Sequence, residues 1–372
     1  MSKGERGKVC FVTGYPSFLA KNLIEGIIAN DPMTVLALLV QEKYMKQARS
    51  FVRKIGAVKR ARVVSGDVVK MHLGLSSEEY RVLTNNVTDF FHAAAISYTG
   101  VDDKTARRVN IDGTINVLEF AADVKNLRRF NHFSSAFVSG DRTGVVTEDE
   151  LDCGQGFPDH IQKTKLLAEK EVRKAMSSLP ISVYRPSMIV GKSASGEADK
   201  LEGFYSFVKM VIAPGFNVPM LVPKRGMVPL NIVPVDFVVQ AALHISAEES
   251  SAGKTFHVVD PNPLTVKQVL SILAEKSGNE NPHIITMPTR IAQMLPKIKR
   301  IANLAPAYMN AIGVLDRFTI YNCANTVTAM KGSGIICPSF GSYADKMVGF
   351  VQTQLSKKTV VEAEQSLKDP LA

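Results

Sequence analysis

The sequence has no tryptophan and only four cysteines in 372 residues, Cys10, Cys153, Cys323 and Cys337. So few, so far apart, exclude a disulfide scaffold and the close pairs of a structural zinc site. A reduced compartment, the cytoplasm, and no metal are the expectation. No apolar run approaches the roughly 20 residues of a membrane-spanning helix. The opening MSKGERGK is polar and leads straight into an apolar strand, so no secretory signal is expected. Acidic residues are the scarcer sign, 35 against 45 Lys and Arg, for a net charge of +10. The basic residues are dispersed, with no aromatics interleaved, so nucleic acid is not expected as a partner. A solvated lysine-rich surface, an anionic cofactor or acyl carrier, or a membrane surface would each account for the excess. There is no internal repeat or low-complexity linker, and 45% hydrophobic residues suffice for one large or two unequal domains.

What is present is concentrated first at Lys8 to Ile28. Val9 to Thr13 is a short apolar run of buried-strand type. A tight turn, Gly14-Tyr15-Pro16-Ser17, follows. Leu19, Leu23, Ile24, Ile27 and Ile28 then fall at helical spacing on one face. Strand, glycine turn and helix frame a dinucleotide-binding βαβ unit, in which a pyrophosphate meets backbone N–H groups at a helix N-terminus. Gly14 takes the first glycine position of that pattern, where a side chain is expected to collide with the pyrophosphate. Ser17 and Ala20 stand at the second and third. Ala20 keeps helix and strand close; the Ser17 hydroxyl can donate to a phosphate oxygen in place of backbone. Pro16, Phe18 and Leu19 complete the predicted cradle.

Further apolar runs at 33–40, 60–66, 87–95, 130–137 and 181–184 alternate with helical segments, which predicts a right-handed, parallel, doubly wound sheet. At the end of the second strand an Asp would favour NAD by accepting from the ribose 2′-hydroxyl. Gln41 stands there instead, with Lys43 two residues on, which favours NADP. Asp67 and Val68 are placed at the adenine, Ala93 and Ala94 under the cofactor, and Pro186 and Met188 by the nicotinamide. His92 reads as a packed strand-end residue. The expected division is a Rossmann domain, 1–190 with 228–260, and a smaller, mostly helical substrate domain, 191–227 with 261–352. Residues 353–372 read as a frayed tail. Phe204, Tyr205, Phe207, Met210, Phe216 and Met220 suit either a malleable apolar cleft or simple packing. A basic amphipathic stretch at 291–312 would suit a lid helix or contact with a membrane surface.

Seven short motifs occur in order: TGxxxFLA at 13–20, GD at 66–67, HAAA at 92–95, NxxGT at 110–114, SSAFVSG at 134–140, TK at 164–165 and YRPSMIVG at 184–191. In this series the chain resembles the extended short-chain dehydrogenase/reductase family. It is most similar to the male-sterility-like branch, with its thioester-reductase domains and fatty acyl-CoA reductases. The resemblance covers residues 7 to 352. It implies a Rossmann α/β fold and a Ser, a Tyr and a Lys acting together, the Lys one helical turn after the Tyr. Ser135 matches the first and Lys165 the third. The Tyr position is Ile161, and no Tyr occurs between Tyr98 and Tyr184.

Three explanations stand side by side. Another group supplies the proton: His160 (although one helical step turns it about 100° from the face of Lys165), Tyr98, Tyr205, or a water held by Ser135 and Lys165. Alternatively the protein binds NAD(P) as a sensor or biosynthetic partner without catalysis, or runs a non-redox reaction. The reading carried forward is an NAD(P)H-dependent reductase of a carbonyl or thioester on a lipophilic acyl compound, free or carrier-bound, with NADP(H) preferred. A homodimer would also fit.

Overall fold

The structure, a computed structural model, describes residues 7–97, 100–212, 220–223, 226–278, 284–287 and 317–368. Tyr98, Phe216 and the basic stretch 291–312 lie outside them. The chain divides into two compact units, 1–187 with 237–259 and 321–335, and 188–236 with 260–320 and 336–372.

The first unit begins with β1 (Val9–Thr13), α1 (Phe18–Asn30), β2 (Val35–Val40), α2 (Met45–Lys54), β3 (Ala61–Ser65), α3 (Ser77–Asn86) and β4 (Asp89–His92). It continues through α4 (Asp103–Arg107), a π-turn at Arg108–Asp112, α5 (Gly113–Asp123), β5 (Arg129–Phe133), β6 (Gly144–Val146), α6 (His160–Ala175) and β7 (Ile181–Pro186). Seven strands form one sheet in the order β3-β2-β1-β4-β5-β7-β11, the last being Lys254–Val258. Every neighbouring pair is parallel. Helices on both faces bury these strands, which is why they read as apolar runs rather than alternating ones. The chain reverses its winding between β1 and β4, the switch point at which doubly wound sheets open a crevice beyond the strand ends. One face of the sheet is filled by Phe11, Phe90, Phe120 and Phe130, with ring centroids 4.8 Å apart for Phe11–Phe90 and 5.1 Å for Phe90–Phe130.

The second unit holds β8 (Met188–Val190), α7 (Phe204–Ile212), β9 (Met220–Pro223) and β10 (Ile232–Pro234), the last paired with β8 in parallel. Helix α8 (Val235–Ala247) then leads back into the first unit, whose β11 follows. In the second unit α9 (Val266–Lys276) is opened by Thr265, whose side chain accepts from Gln268 N in a capping box. β12 (Ile284–Met287) pairs in parallel with β9. Phe204, Phe207, Leu270, Leu273, Phe340, Tyr343 and Met347 form this unit's core, so the aromatics read as a possible cleft serve packing at these positions.

Three boundaries differ from the sequence expectation. Residues 228–236, with β10, expected in the Rossmann domain, belong to the second unit. Residues 321–335, including α10 (Ala324–Ala329), belong with the sheet unit. α10 covers the open edge of β11: Asn325 Nδ2 donates to Thr255 O at 3.0 Å and Thr326 Oγ1 to His257 O at 2.9 Å. An edge strand needs such a cover for its unpaired backbone groups. The last helix, α11, runs from Phe340 to Lys368, where a frayed tail was expected after residue 352. The segment 350–368 contains no Gly or Pro and carries several Gln, Lys and Glu, residues that lose little freedom in a helix.

Candidate functional site

The turn after β1 is built as the sequence predicts, for a different reason at its key glycine. Gly14 has φ +105°, and a Cβ there would lie 2.6 Å from the Ala93 carbonyl carbon and 2.8 Å from Ala94 N. Its first obligation is thus to the β4 end at the switch point; the expected collision with pyrophosphate is pre-empted by one with backbone. Gly14→Ala should therefore lose about 2–4 kcal/mol from backbone overpacking and left-handed strain together. Urea denaturation checks this: wild-type stability combined with lost cofactor binding would put the constraint back on the ligand. Ser17 is the exposed N-cap of α1; its Oγ accepts from Ala20 N at 3.2 Å, so its own O–H is left to donate outward. Ala20 is fully buried and lets α1 sit close on the sheet. Pro16, Phe18 and Leu19 are half-buried around the same helix end.

At the ends of β2 and β3 lies a concavity of about 340 Å³ lined by Gln41, Glu42, Lys43, Gly66, Asp67 and Lys70. Its two carboxylates face internal partners. Asp67 accepts from Gln41 Nε2 at 2.9 Å and from Val69 N at 3.2 Å, and Glu42 accepts from Ser65 Oγ at 2.6 Å. The two lysines are exposed at the rim. Lys70 was not singled out from the sequence; its signal was the GDVVK run, which brings it round to Lys43. Val68 is buried, its carbonyl taken by Asn116 Nδ2 at 2.8 Å, so its side chain belongs to the core. An exposed cap hydroxyl on a helix N-terminus, a glycine seat and two rim lysines together form a donor set that fits an anionic dinucleotide.

The catalytic candidates gather at the C-terminal end of β5. Ser135 caps a short 3₁₀ turn at 136–139, its Oγ accepting from Phe137 N at 3.2 Å. Helix α6 carries Ile161, Lys165 and Glu169 at four-residue intervals, on one face. Ile161 and Lys165 are both buried, and Lys165 Nζ donates to Phe133 O at 3.1 Å, two residues before Ser135. Burial pushes the lysine down to about 8, against a smaller upward pull from Glu169. His160 Nε2 lies 2.6 Å from Val101 O, fixed to the loop before α4. His92 is packed as expected, with Thr13 Oγ1 at 2.8 Å and Thr114 Oγ1 at 3.1 Å. Pro186 ends β7 buried, and Met188 is half-buried in the second unit.

An NAD-binding family model described as "Male sterility protein" matches residues 12–242. The chain belongs to that family. Similar curated proteins include the fatty acyl-CoA reductase wat of Drosophila melanogaster, 24% identical over 277 residues, covering 64% of this chain and 54% of the relative. The aldehyde reductase lnbA of Aspergillus flavus is 28% identical over 279 residues, covering 68% of this chain and 26% of the relative. The chain thus spans about half of the first and about a quarter of the second. Among solved structures, the terminal R domain from the myxalamid PKS-NRPS biosynthetic pathway superposes with a TM-score of 0.80 at 22% identity, covering 94% of this chain and 92% of that one. That likeness confirms the Rossmann-type fold.

Three polar groups of this male sterility family protein went unassigned in the sequence. Asn110, in the π-turn, accepts from Ile96 N at 2.8 Å and donates to Thr164 Oγ1 at 3.0 Å. It ties the loop after β4 to the helix of Lys165. Glu169 is fully buried, accepts from Ser134 Oγ at 2.5 Å and from Arg185 Nη2 at 2.7 Å, and also pairs with Arg173. Burial alone would raise its pKa, but the Arg185 charge holds it below the usual carboxylate value. Glu148 accepts from three backbone N–H groups at the β11 edge: His257 N at 2.8 Å, Asn325 N at 2.6 Å and Thr326 N at 3.2 Å. The NxxGT motif at 110–114, the pair Ala168-Glu169 and the acidic residues Glu148, Asp149, Glu150 and Asp152 were the available signals for these three.

Proposed function

We propose that this protein is an NAD(P)H-dependent reductase of a carbonyl or thioester on a lipophilic acyl compound, carried on coenzyme A or on a carrier protein. The observation that carries the reading is Lys165, buried one helical turn after Ile161, with its Nζ donating to Phe133 O, two residues before Ser135. The named activities of the fatty acyl-CoA and aldehyde reductases among its relatives support it. The cofactor, when bound, supplies a hydride. Gly14 and Ser17 at the N-terminus of α1 hold its pyrophosphate, and Lys43 and Lys70 meet a ribose 2′-phosphate. Ser135 Oγ donates to the substrate carbonyl oxygen and stabilises the negative charge that develops there. Lys165 holds the nicotinamide ribose and keeps a positive charge under the reacting oxygen.

With no tryptophan in the chain, protein background in a reduced-cofactor fluorescence titration is low. NADPH is expected to bind at least about tenfold tighter than NADH, one charge-assisted contact being worth about 1.5–3 kcal/mol, and the margin should shrink with salt. Equal or tighter NADH binding would reject the preference. Turnover is tested by NADPH oxidation with a chain-length series of acyl-CoA thioesters and with aldehydes. A second reading, cofactor binding without catalysis, is favoured by one observation, the hydrocarbon side chain of Ile161 where a proton donor would stand. Cofactor binding with no turnover of any carbonyl or thioester would decide for it.

A further inference from the structure

We propose that Lys165 is itself the acid and base of the reaction, in the role that Ile161 leaves open. The inference rests on the reductase reading above. Ile161 has no proton to exchange. His160 has one ring nitrogen at 2.6 Å from Val101 O and stands about 100° round the helix from Lys165. Tyr205, expected in a loop, is buried within α7 of the second unit, where its hydroxyl donates to Gly196 O at 2.7 Å and accepts from Gly191 N at 2.9 Å. Both of its hydrogen-bonding directions are used. An ammonium carries three N–H groups. Lys165 directs one to Phe133 O, at the strand end that leads into Ser135. The others remain for a ligand at that end.

The titratable and charged groups around Lys165 come from four elements. Glu169 and Arg173 lie further along α6, Arg185 reaches Glu169 from β7, His132 sits on β5 and His92 on β4. Burial drives His132 down to about 3 and His92 well below its ordinary value, so both are neutral at physiological pH. Lys165, at about 8, is protonated at neutral pH yet poised to give the proton up. Consider a thioester whose carbonyl carbon has received the hydride. The C–O π bond becomes an oxyanion, and Lys165 transfers a proton to that oxygen, giving a neutral hemithioacetal and a neutral amine. The amine then takes the hydroxyl proton back as the C–S bond breaks, leaving an aldehyde and a thiolate that is protonated by water. The lysine ends as it began; the net consumption is one hydride and one proton.

The test uses the full chain and acyl-CoA thioesters. Lys165→Arg keeps a positive charge and its donors but does not release a proton. Its turnover at saturating reduced cofactor is expected to fall by about 100-fold or more. In the wild type the rate should fall as pH rises through about 8, the value to which burial brings Lys165. Lysine-selective ¹³C NMR without cofactor, with the signal assigned by its loss in Lys165→Arg, should give the same midpoint. An active Lys165→Arg, or kinetic and NMR midpoints more than about one unit apart, overturns this assignment alone. If Lys165→Arg does not fold, Lys165→Gln supplies the assignment of the signal, and the agreement of the two wild-type midpoints decides. A wild type that binds cofactor and turns over nothing overturns the reductase reading, and this inference with it.

Discussion

Ile161→Tyr is expected to enhance reduction of simple aldehydes and ketones. The substitution sets a phenol one helical turn before Lys165, where the ammonium favours its ionised form. A positioned general acid is worth roughly 10²–10⁴ in rate, or about 3–5 kcal/mol of barrier. If Lys165 already serves as the acid, the gain lies at or below the lower end of that range. The substitution has a structural cost. Ile161 is 7% exposed, so the larger ring must displace neighbours, at about 1–3 kcal/mol. Faster NADPH oxidation together with a lower Tm is therefore the expected pair of observations. A variant that is destabilised and no faster would reject the idea that the position is an empty acid site. A wild type already fast, and slowed by the change, would show a working donor displaced by the ring.

The second large effect concerns the buried pair of Glu169 and Arg185. Both side chains are essentially inaccessible, at 0% and 1% exposed. The carboxylate receives two Arg185 nitrogens, Nε at 3.0 Å and Nη2 at 2.7 Å, besides Arg173 Nε at 3.1 Å and the Ser134 hydroxyl. Glu169→Ala leaves a guanidinium buried without its counter-charge, and about 3–5 kcal/mol of stability should be lost. Replacing the pair together, as Glu169→Met with Arg185→Met, removes both desolvation costs and should recover most of that loss. Urea denaturation of the two single variants and the double variant measures the coupling. Additive losses would show that the pair does not act as a unit. The pair also bears on the site: Glu169 is one turn beyond Lys165 and holds Ser134, the neighbour of Ser135. A stable double variant with reduced kcat and unchanged cofactor binding would separate that positioning from the pair's part in folding.

The succession of strands along the chain and the helix that follows the glycine turn could be read from local pattern. Parallel strands covered on both faces must be apolar along their whole length, and Val9–Thr13 and Val35–Val40 announce themselves that way. Thr265 likewise declares a helix start, because a capping box needs only residues three apart. Lys165 and Ile161 were singled out by the family resemblance, and their shared face was then legible because one turn of one helix fixes their spacing. Contacts between distant segments were not. Gly14 presses on Ala93 and Ala94, nearly 80 positions away, and only the β1–β4 pairing brings them together. Glu148 meets Thr326 across 178 positions, which draws residues 321–335 into the sheet unit against the expected division. Tyr205 read as a candidate donor from a loop, and its enclosure by the Gly191 and Gly196 backbone appears only when the second unit packs. Local pattern records which face of an element is apolar. It carries no record of which distant polar group satisfies a buried one, because that choice is made by how the elements come together.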